Sequence, residues 1–221
     1  MVVTTPEFQR ARSTAAKQLR ETSILDAARD LGAERGIRQV TLTEIADEVG
    51  MHKSALLRYF ETREEIFLRL TAEGWSEWSA DLRAELEMLT EPTPGAIAAH
   101  FAQTLAARGP FCDLLAQAPL NLERNVSVEA VRAFKLAVHA EFDAIVVALQ
   151  KLLPVLAESD AIDLVATATS LSGAFWQMAT PGPEVAALFR TDPRLAHAVV
   201  DVEQRVRRIL TALIRGLLAA T

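Results

Sequence analysis

The chain contains 221 residues, 50% of them hydrophobic and 24% charged, which is the composition of a globular protein and not of a disordered polypeptide. Nine glycines, nine prolines and 6% aromatic residues are too few for a sandwich or barrel with many turns, so we expect an all-α protein. The net charge of −6, taken over the whole molecule, argues against nucleic acid as a partner.

The charge is unevenly distributed along the chain. Residues 1–70 are neutral overall, whereas residues 71–221 carry the net charge of −6. Residues 1–20 have a net charge of +3 and no hydrophobic pattern, so they form either a solvated terminus or a basic arm that reaches a phosphate backbone. They also lack a signal-peptide core, and the single cysteine, Cys112, suits a reducing compartment, so we expect a cytoplasmic protein.

Helix signals follow one another from residue 24 onward. Apolar residues at helical spacing predict a first helix over residues 24–31, and Gly32 and Gly36 mark its end. Thr41 and Glu44 have the spacing of a capping box, which places the start of a second helix at Thr41.

A turn at Gly50 separates this second helix from a short helix predicted over residues 53–60. Two short helices joined in this way are the arrangement of a helix-turn-helix unit, whose second helix enters the major groove of DNA. The geometry alone is a weak indication, because any three-helix core can contain it. A further capping box at residues 62–65 predicts a fourth helix, which continues or restarts over residues 75–89.

The second part of the chain is also predicted to be helical. Prolines and glycines separate helices over residues 94–105, 111–115 and 131–152. Residues 164–183 carry no formal charge and have about the length of a membrane-spanning helix. Six Thr, Ser and Gln side chains and a Pro-Gly-Pro end predict instead a helix that is buried in protein, so we expect no membrane partner.

The last two predicted helices have more apolar surface than one core would cover. The uncharged helix has an apolar or small face on two sides, and the C-terminal helix carries a wide apolar stripe. We therefore predict a homodimer that forms through these two helices, with burial of both faces inside one subunit as the alternative. The predicted interface residues are Ile162, Val165, Thr169, Gly173, Val199, Val202, Val206, Ile209 and Leu213.

The run over residues 24–70 resembles the N-terminal domain of the TetR/AcrR family of transcriptional regulators. The matching features are T-x-x-x-I-A at residues 41–46, Gly50, a recognition helix that ends in Tyr59-Phe60, and T-R-E-E-I at residues 62–66. The resemblance implies an N-terminal three-helix DNA-binding domain over residues 1–70 and a helical-bundle domain for ligand binding and dimerisation over residues 71–221. It also implies a dimer that binds a pseudo-palindromic double-stranded DNA operator, usually as a repressor, and is released by a small molecule.

The same resemblance implies particular DNA contacts. Hydroxyl and cationic side chains at these positions would reach phosphates, and the start of the recognition helix would face base edges. The family commonly has a small hydroxyl residue in place of His52, so we expect the usual N-cap to be missing there, although the imidazole can itself touch DNA. An aromatic residue often stands in place of Leu57. The implied contact residues are Thr41, Thr43, His52, Lys53, Ser54, Ala55, Arg58, Tyr59 and Arg63.

The second part resembles the family's sensor domains with weaker specificity. We expect a mostly apolar effector to lie among some of its aromatic residues, although each of them taken singly is an ordinary core residue. The candidate lining residues are Trp75, Trp78, Phe101, Phe111, Leu115, Phe134, Phe142, Phe175 and Trp176, with Gln177, His100 and His139 as polar members.

An enzyme is the less favoured interpretation. The four histidines are isolated in the sequence, without metal-ligand spacing, and no glycine-rich phosphate loop is present, so we expect no metal, no cofactor and no catalytic site. A dimerising helical adaptor, or a small-molecule-binding protein without a DNA role, is the other alternative. The basic, glycine-turned segment from Lys53 to Arg63 distinguishes it, because an adaptor has no need of such a unit.

Overall fold

A computed structural model describes residues 6–198 and 200–219, and every regular element in these two ranges is helical. The expected all-α fold is confirmed. Three short 3-10 turns lie at Ile37–Gln39, Leu122–Arg124 and Pro193–Ala198. The α-helices are, in chain order, α1 (Pro6–Arg35), α2 (Leu42–Glu48), α3 (Lys53–Leu56), α4 (Arg63–Glu87), α5 (Pro94–Ala106), α6 (Gly109–Gln117), α7 (Val128–Leu152), α8 (Glu158–Ala179), α9 (Pro183–Thr191) and α10 (Val202–Ala219).

Helix α1 begins much earlier than the apolar repeat predicts. It starts at Pro6, and the side chains of residues 15–20 are exposed, whereas Ile24 and Ala28 are fully buried. The helix ends at Arg35 because Gly36 adopts φ +84°, a left-handed conformation that glycine enters without a steric penalty.

The short helices α2 and α3 follow from local signals in the sequence. The predicted capping box is present: the Thr41 hydroxyl accepts a hydrogen bond from the backbone N–H of Glu44, and the Glu44 carboxylate accepts one from the N–H of Thr41. Gly50 adopts φ +61° in the turn between the two helices. Helix α3 is shorter than predicted, because the chain continues from Leu56 to residue 60 in tight turns.

Two hydrophobic cores organise the molecule. The N-terminal core buries residues of α1 to α4 around Ile45, Leu56 and Phe67, and it is completed by Leu114 and Phe134 from α6 and α7. Because α4 runs without a break through residue 70, the N-terminal helices are built directly onto the rest of the chain.

The second core lies between α4, α5, α6, α7, α8 and α10. Helix α10 packs on α5 and α8, and α6 packs closely on α8 at Gly173, where a Cβ atom would lie 3.0 Å from the backbone nitrogen of Ala116. Helix α8 contains most of the uncharged segment, and its Leu164 and Ala168 are fully buried, as predicted for a helix inside protein. A search of the described residues finds no helix with the length and apolar character needed to span a bilayer.

Candidate functional site

Most of the side chains expected to touch DNA lie on the protein surface. Thr43 in α2 is exposed, as are Lys53, Ser54 and Arg58 in and just after α3, while Tyr59 is half-buried against the N-terminal core. Leu56 and Phe60, which alternate with them, are buried. The segment therefore anchors itself in the core through Leu56 and Phe60 and presents its cationic and hydroxyl side chains, together with Leu57, to solvent. Of the other candidates in this segment, Ala55 is half-buried and His52 is exposed.

His52 caps the helix that it was expected to leave uncapped. Its Nδ1 atom accepts a hydrogen bond from the backbone N–H of Ser54 at 3.4 Å and lies 2.9 Å from the Ser54 hydroxyl oxygen. The expectation of a missing N-cap is therefore wrong, because an imidazole nitrogen can replace the usual hydroxyl oxygen as acceptor.

The Thr41 hydroxyl is already engaged inside the protein. It donates to the Glu44 carboxylate at 2.8 Å, and the Arg35 guanidinium lies 2.8 Å from the same carboxylate. The hydrogen bonds from Thr41, helped by Arg35, hold the pKa of Glu44 below its usual value. A DNA phosphate would have to compete with the Glu44 carboxylate for the Thr41 hydroxyl. The Thr43 hydroxyl is exposed and has no hydrogen-bond partner in the described structure.

Arg63 is held within the protein and is not a free phosphate ligand. Its guanidinium donates hydrogen bonds to the backbone carbonyl oxygens of Ile37 and Val40, lies 3.1 Å from Glu64, and covers the Phe67 ring at 4.7 Å from the centroid. Its side chain is 18% exposed. In this structure Arg63 therefore joins the start of α4 to the loop that precedes α2, and its contact with DNA stays a prediction.

The aromatic residues expected to surround an effector pack against one another. Trp75, Trp78, Phe101, Phe111 and Phe142 form a cluster whose neighbouring ring centroids are 5.4 to 6.1 Å apart. Trp78 and Phe101 are completely buried, and the Trp78 indole N–H donates to the Thr104 hydroxyl at 3.0 Å. Rings at these separations are in contact, so in this conformation the cluster is core and not the lining of an open pocket.

Other members of the expected lining are dispersed. Phe134 belongs to the N-terminal core, Leu115 packs partly buried against the second core, and Phe175 lies under the Arg205 guanidinium at 5.5 Å. The His139 side chain is 71% exposed and lies 3.2 Å from Asp143 on the surface of α7, apart from the aromatic cluster.

A cleft with a volume of about 710 Å³ lies instead between the end of α1 and helices α6 and α8. Trp176 and Gln177 line it, together with Asp113, Arg38 and the segment 180–183. The Trp176 indole fits closely over Gly109, where a Cβ atom would approach the ring to 2.1 Å. Two of the expected effector residues are therefore brought together beside the end of α1 and not in the middle of the second core.

Asp113, which the sequence reasoning did not select, is buried at this cleft and only 8% exposed. Its carboxylate accepts hydrogen bonds from the backbone N–H of Ile37 and from the Gln177 side-chain amide, both at 2.8 Å. A signal was present in the sequence, because a carboxylate in the apolar run 111–115 must find hydrogen-bond donors when it is buried.

Much of the predicted dimer surface is turned inward. Val165, Thr169 and Gly173 of α8 and Val202 and Val206 of α10 are buried inside their own subunit, and their place in a dimer interface stays a prediction. Ile209 and Leu213 are half-buried, and Val199 lies outside the described residues.

Ile162 is 41% exposed, and it begins an outward stripe on α8 at intervals of four residues. This stripe consists of Ile162, Ala166, Ser170, Ala174 and Met178.

Cys112 and His100 are both engaged with neighbouring groups inside the protein. Burial raises the pKa of the Cys112 thiol to about 12, and its Sγ atom donates to the backbone oxygen of Leu105 at 3.2 Å. The thiol therefore remains protonated near neutral pH and is a poor nucleophile. His100 lies 2.5 Å from Glu85. Across the part of the chain that the structure describes, no group of three or more His, Cys, Asp or Glu side chains could hold a metal ion.

A capped helix-turn-helix unit built onto an all-helical body is the architecture of one class of DNA-binding regulators. Residues 24–70 match the bacterial regulatory proteins of the tetR family, and residues 72–221 match the tetracyclin repressor-like C-terminal domain. The chain therefore belongs to the TetR family and is a DNA-binding transcriptional regulator, which confirms the resemblance seen in residues 24–70.

Individual relatives agree with this assignment. The transcriptional repressor KstR2 of Rhodococcus jostii strain RHA1 is 39% identical over 56 residues, a match that spans 25% of this chain and 28% of KstR2. Thermus thermophilus FadR, a TetR family repressor in complex with lauroyl-CoA, has a TM-score of 0.59 at 20% identity, over 89% of this chain and 94% of FadR. A tetR family regulatory protein from Rhodococcus RHA1 has a TM-score of 0.56 at 16% identity, over 89% of this chain and 96% of that protein. The structural matches show a shared fold.

Proposed function

We propose that the protein is a homodimeric repressor that binds a pseudo-palindromic DNA operator and is released by a small, mostly apolar molecule. The observation that supports this proposal best is the arrangement of α3, where Lys53, Ser54 and Arg58 are exposed while Leu56 and Phe60 anchor the segment in the core. Lysine and arginine at such a position contact phosphates or guanine edges. The exposed Leu57 adds an apolar group that can meet a thymine methyl.

A second subunit is proposed to cover the outward stripe of α8. Ala166, Ser170 and Ala174 have small side chains, which allow two helices to approach closely, and α10 runs beside α8. Charges support a two-fold arrangement, because α10 exposes arginines such as Arg208 and Arg215 while the first turns of α8 carry acidic residues. A two-fold dimer would hold its two α3 segments about 34 Å apart, one turn of B-DNA. Replacing Ala174 by arginine should yield monomers in analytical ultracentrifugation, and an intact dimer would contradict this interface.

The effector is proposed to bind in the cleft beside Trp176. Trp176, Pro110 and Pro183 offer apolar surface, and Arg38 and Gln177 offer polar groups at the same cleft. FadR proteins of similar fold were crystallised with lauroyl-CoA and stearoyl-CoA, ligands that combine an apolar chain with a polar head. A molecule of that amphipathic kind suits this cleft. It would lower DNA affinity by binding better to a conformation in which the two α3 segments are wrongly spaced.

We propose no enzymatic role and a cytoplasmic location, where the operator DNA would be found. The test is selection of duplexes from a random DNA library by the full-length protein, followed by titration of the enriched sequence. We expect an inverted repeat whose half-site centres are separated by about one helical turn, with two chains bound per duplex. Failure to enrich any sequence would contradict the proposed function.

A further inference from the structure

We propose that Asp113 is a positioning residue for DNA binding, which links the helical body to the loop in front of α2 through a buried hydrogen-bond relay. The inference rests on the proposed function, because its effect on DNA binding requires that the protein binds DNA. The hydrogen bonds of Asp113 are observed independently of that function.

The first part of the relay joins three separate segments at one carboxylate. Asp113 projects from α6, and its two oxygens accept from Ile37, in the turn after α1, and from Gln177 near the end of α8. Both donor–acceptor distances are 2.8 Å, and the residue is only 8% exposed. A buried carboxylate requires such donors, so a shift of α6 relative to α8 or to the turn leaves it unsatisfied.

The second part of the relay runs from Ile37 to the DNA-facing helices. The Ile37 carbonyl oxygen and the Val40 carbonyl oxygen both accept hydrogen bonds from Arg63, the first residue of α4. Val40 directly precedes Thr41, the residue that caps α2. The position of α2 is therefore connected to the side chain of Asp113, which does not itself belong to the DNA-binding segment, through hydrogen bonds that the Asp113 and Arg63 side chains make to the backbone of residues 37–40.

The other polar contacts that the described residues make between the two parts of the molecule are exposed to water. Arg29 of α1 lies 2.8 Å from Glu73, with side chains 45% and 39% exposed, and Glu61 accepts a hydrogen bond from the N–H of Ser127 on the surface. Exposed pairs of this kind contribute little, whereas a buried carboxylate strongly resists separation from its partners. Among the polar contacts that the described residues make between the body and the helix-turn-helix unit, the one at Asp113 is thus the buried one.

The position of Gln177 gives this coupling a route for control. Gln177 is one of the residues that line the cleft, and its side-chain amide also donates to Asp113. A cleft-bound molecule that engages the Gln177 amide withdraws one of the two donors from Asp113. The carboxylate then shifts, which changes the hydrogen bond from the Ile37 N–H and the position of the loop that precedes α2. The bound molecule need not touch the DNA-binding helices for this to happen.

The experiment compares the full-length wild-type protein with Asp113→Ala, Asp113→Asn and the control Asp143→Ala, which removes an exposed carboxylate of α7. Two quantities are measured: hydrogen exchange of the Ile37 amide, and affinity for the duplex enriched by the wild-type protein. We expect Asp113→Ala to speed Ile37 exchange and to weaken DNA binding, each by about tenfold. The Asn variant keeps an acceptor for Ile37, and Gln177 can turn its amide to match it, so it should stay within about threefold of wild type, as should the control.

Three results would overturn the proposal: unchanged Ile37 exchange in Asp113→Ala, faster exchange with unchanged DNA affinity, or an Asn variant as impaired as the Ala variant. If Asp113→Ala fails to fold, Gln177→Ala replaces it. That variant removes the donor from α8 and should speed Ile37 exchange and weaken DNA binding by about threefold, and wild-type behaviour would count against the relay. If the wild-type protein enriches no duplex, the proposed function fails, and the exchange measurement still decides whether Asp113 holds Ile37.

Discussion

The carboxylate of Glu61 accepts a hydrogen bond from the backbone N–H of Ser127 at 2.7 Å. Glu61 follows the recognition segment directly, and Ser127 caps the start of α7, where its hydroxyl accepts from the N–H of Ala130. The N–H of Glu61 in turn donates to the Glu65 carboxylate at 2.6 Å. The end of the helix-turn-helix unit is thereby joined to the body at a second point, separate from Asp113.

This contact predicts a pH dependence. The hydrogen bond from Ser127 holds the pKa of Glu61 below its ordinary value of 4.5, so the folded state favours the ionised carboxylate. Stability from such a group is present above the unfolded-state pKa and disappears as the pH falls through the lower folded-state pKa. The melting temperature of wild type should therefore exceed that of Glu61→Ala at pH 7, and the difference should shrink as the pH falls below 4.5 and through the folded-state pKa. Glu77→Ala, at an exposed position in α4, serves as the control, and a difference that persists in acid would contradict the assignment.

Arg63→Ala should destabilise the protein. The substitution removes the donor for two backbone carbonyl oxygens and the cation over Phe67, so we expect the free energy of unfolding to fall by about 1–3 kcal/mol. Urea denaturation measures this decrease. Arg69→Ala, at an exposed position one to two turns along α4, should change the free energy by less than about 0.5 kcal/mol. Equal stability of the two variants would show that Arg63 is free and available to phosphate, as the sequence first indicated.

His52→Ala should lower stability by about 1 kcal/mol, because it removes the acceptor for the N–H of Ser54 at the start of α3. His52→Asn restores a favoured capping group and should recover most of that stability. Lys53→Ala, next to it and without a capping role, is the matched control for thermal or urea unfolding. A His52→Ala variant as stable as wild type would show that the imidazole cap does not stabilise the protein.

Gly173→Ala should be destabilising while Gly95→Ala is not. A Cβ at position 173 would lie 3.0 Å from the backbone nitrogen of Ala116 and 3.3 Å from the backbone oxygen of Cys112, so α6 and α8 would have to separate at a cost of about 1–3 kcal/mol. At position 95 no atom lies within 4 Å of the added Cβ, and the higher helix propensity of alanine should give a gain of up to about 1 kcal/mol. Calorimetry of the two variants measures both effects, and a neutral Gly173→Ala would refute the close packing of these helices.

Local signals in the sequence predicted local structure well. The capping box at Thr41 and Glu44 and the turn at Gly50 are present because each depends on residues within a few positions of one another. The start of α1 was missed, since residues 6–20 have no apolar repeat for a periodicity argument to detect. The role of His52 was missed because capping was judged by residue type and not by whether an acceptor atom was in place.

Contacts between distant segments were beyond sequence reasoning. Arg63 stands where a phosphate ligand was expected, but its partners Ile37 and Val40 are more than twenty residues away. The periodicity of α8 indicated two buried faces without indicating which neighbour covers each one, and Val165 proved to face its own subunit. Trp75, Trp78, Phe101 and Phe111, which were expected to line an effector site, are buried in the second core, and a lining role for them stays a prediction. Whether buried rings pack on one another or surround a cavity depends on distances that a sequence does not contain.

The assignment as a DNA-binding regulator is tested most directly by the affinity and salt dependence of binding to the enriched duplex, measured by fluorescence anisotropy. The test variant combines Lys53→Ala with Arg58→Ala, and the control combines Arg132→Ala with Arg190→Ala, which removes the same charge from exposed positions on α7 and α9. The test variant should bind at least about tenfold more weakly than wild type, and the slope of log K against log salt should become shallower by about one for each DNA phosphate that the variant no longer neutralises. The control should match wild type. Equal affinity and equal salt slope for the test variant and wild type would contradict the role of α3 in DNA recognition.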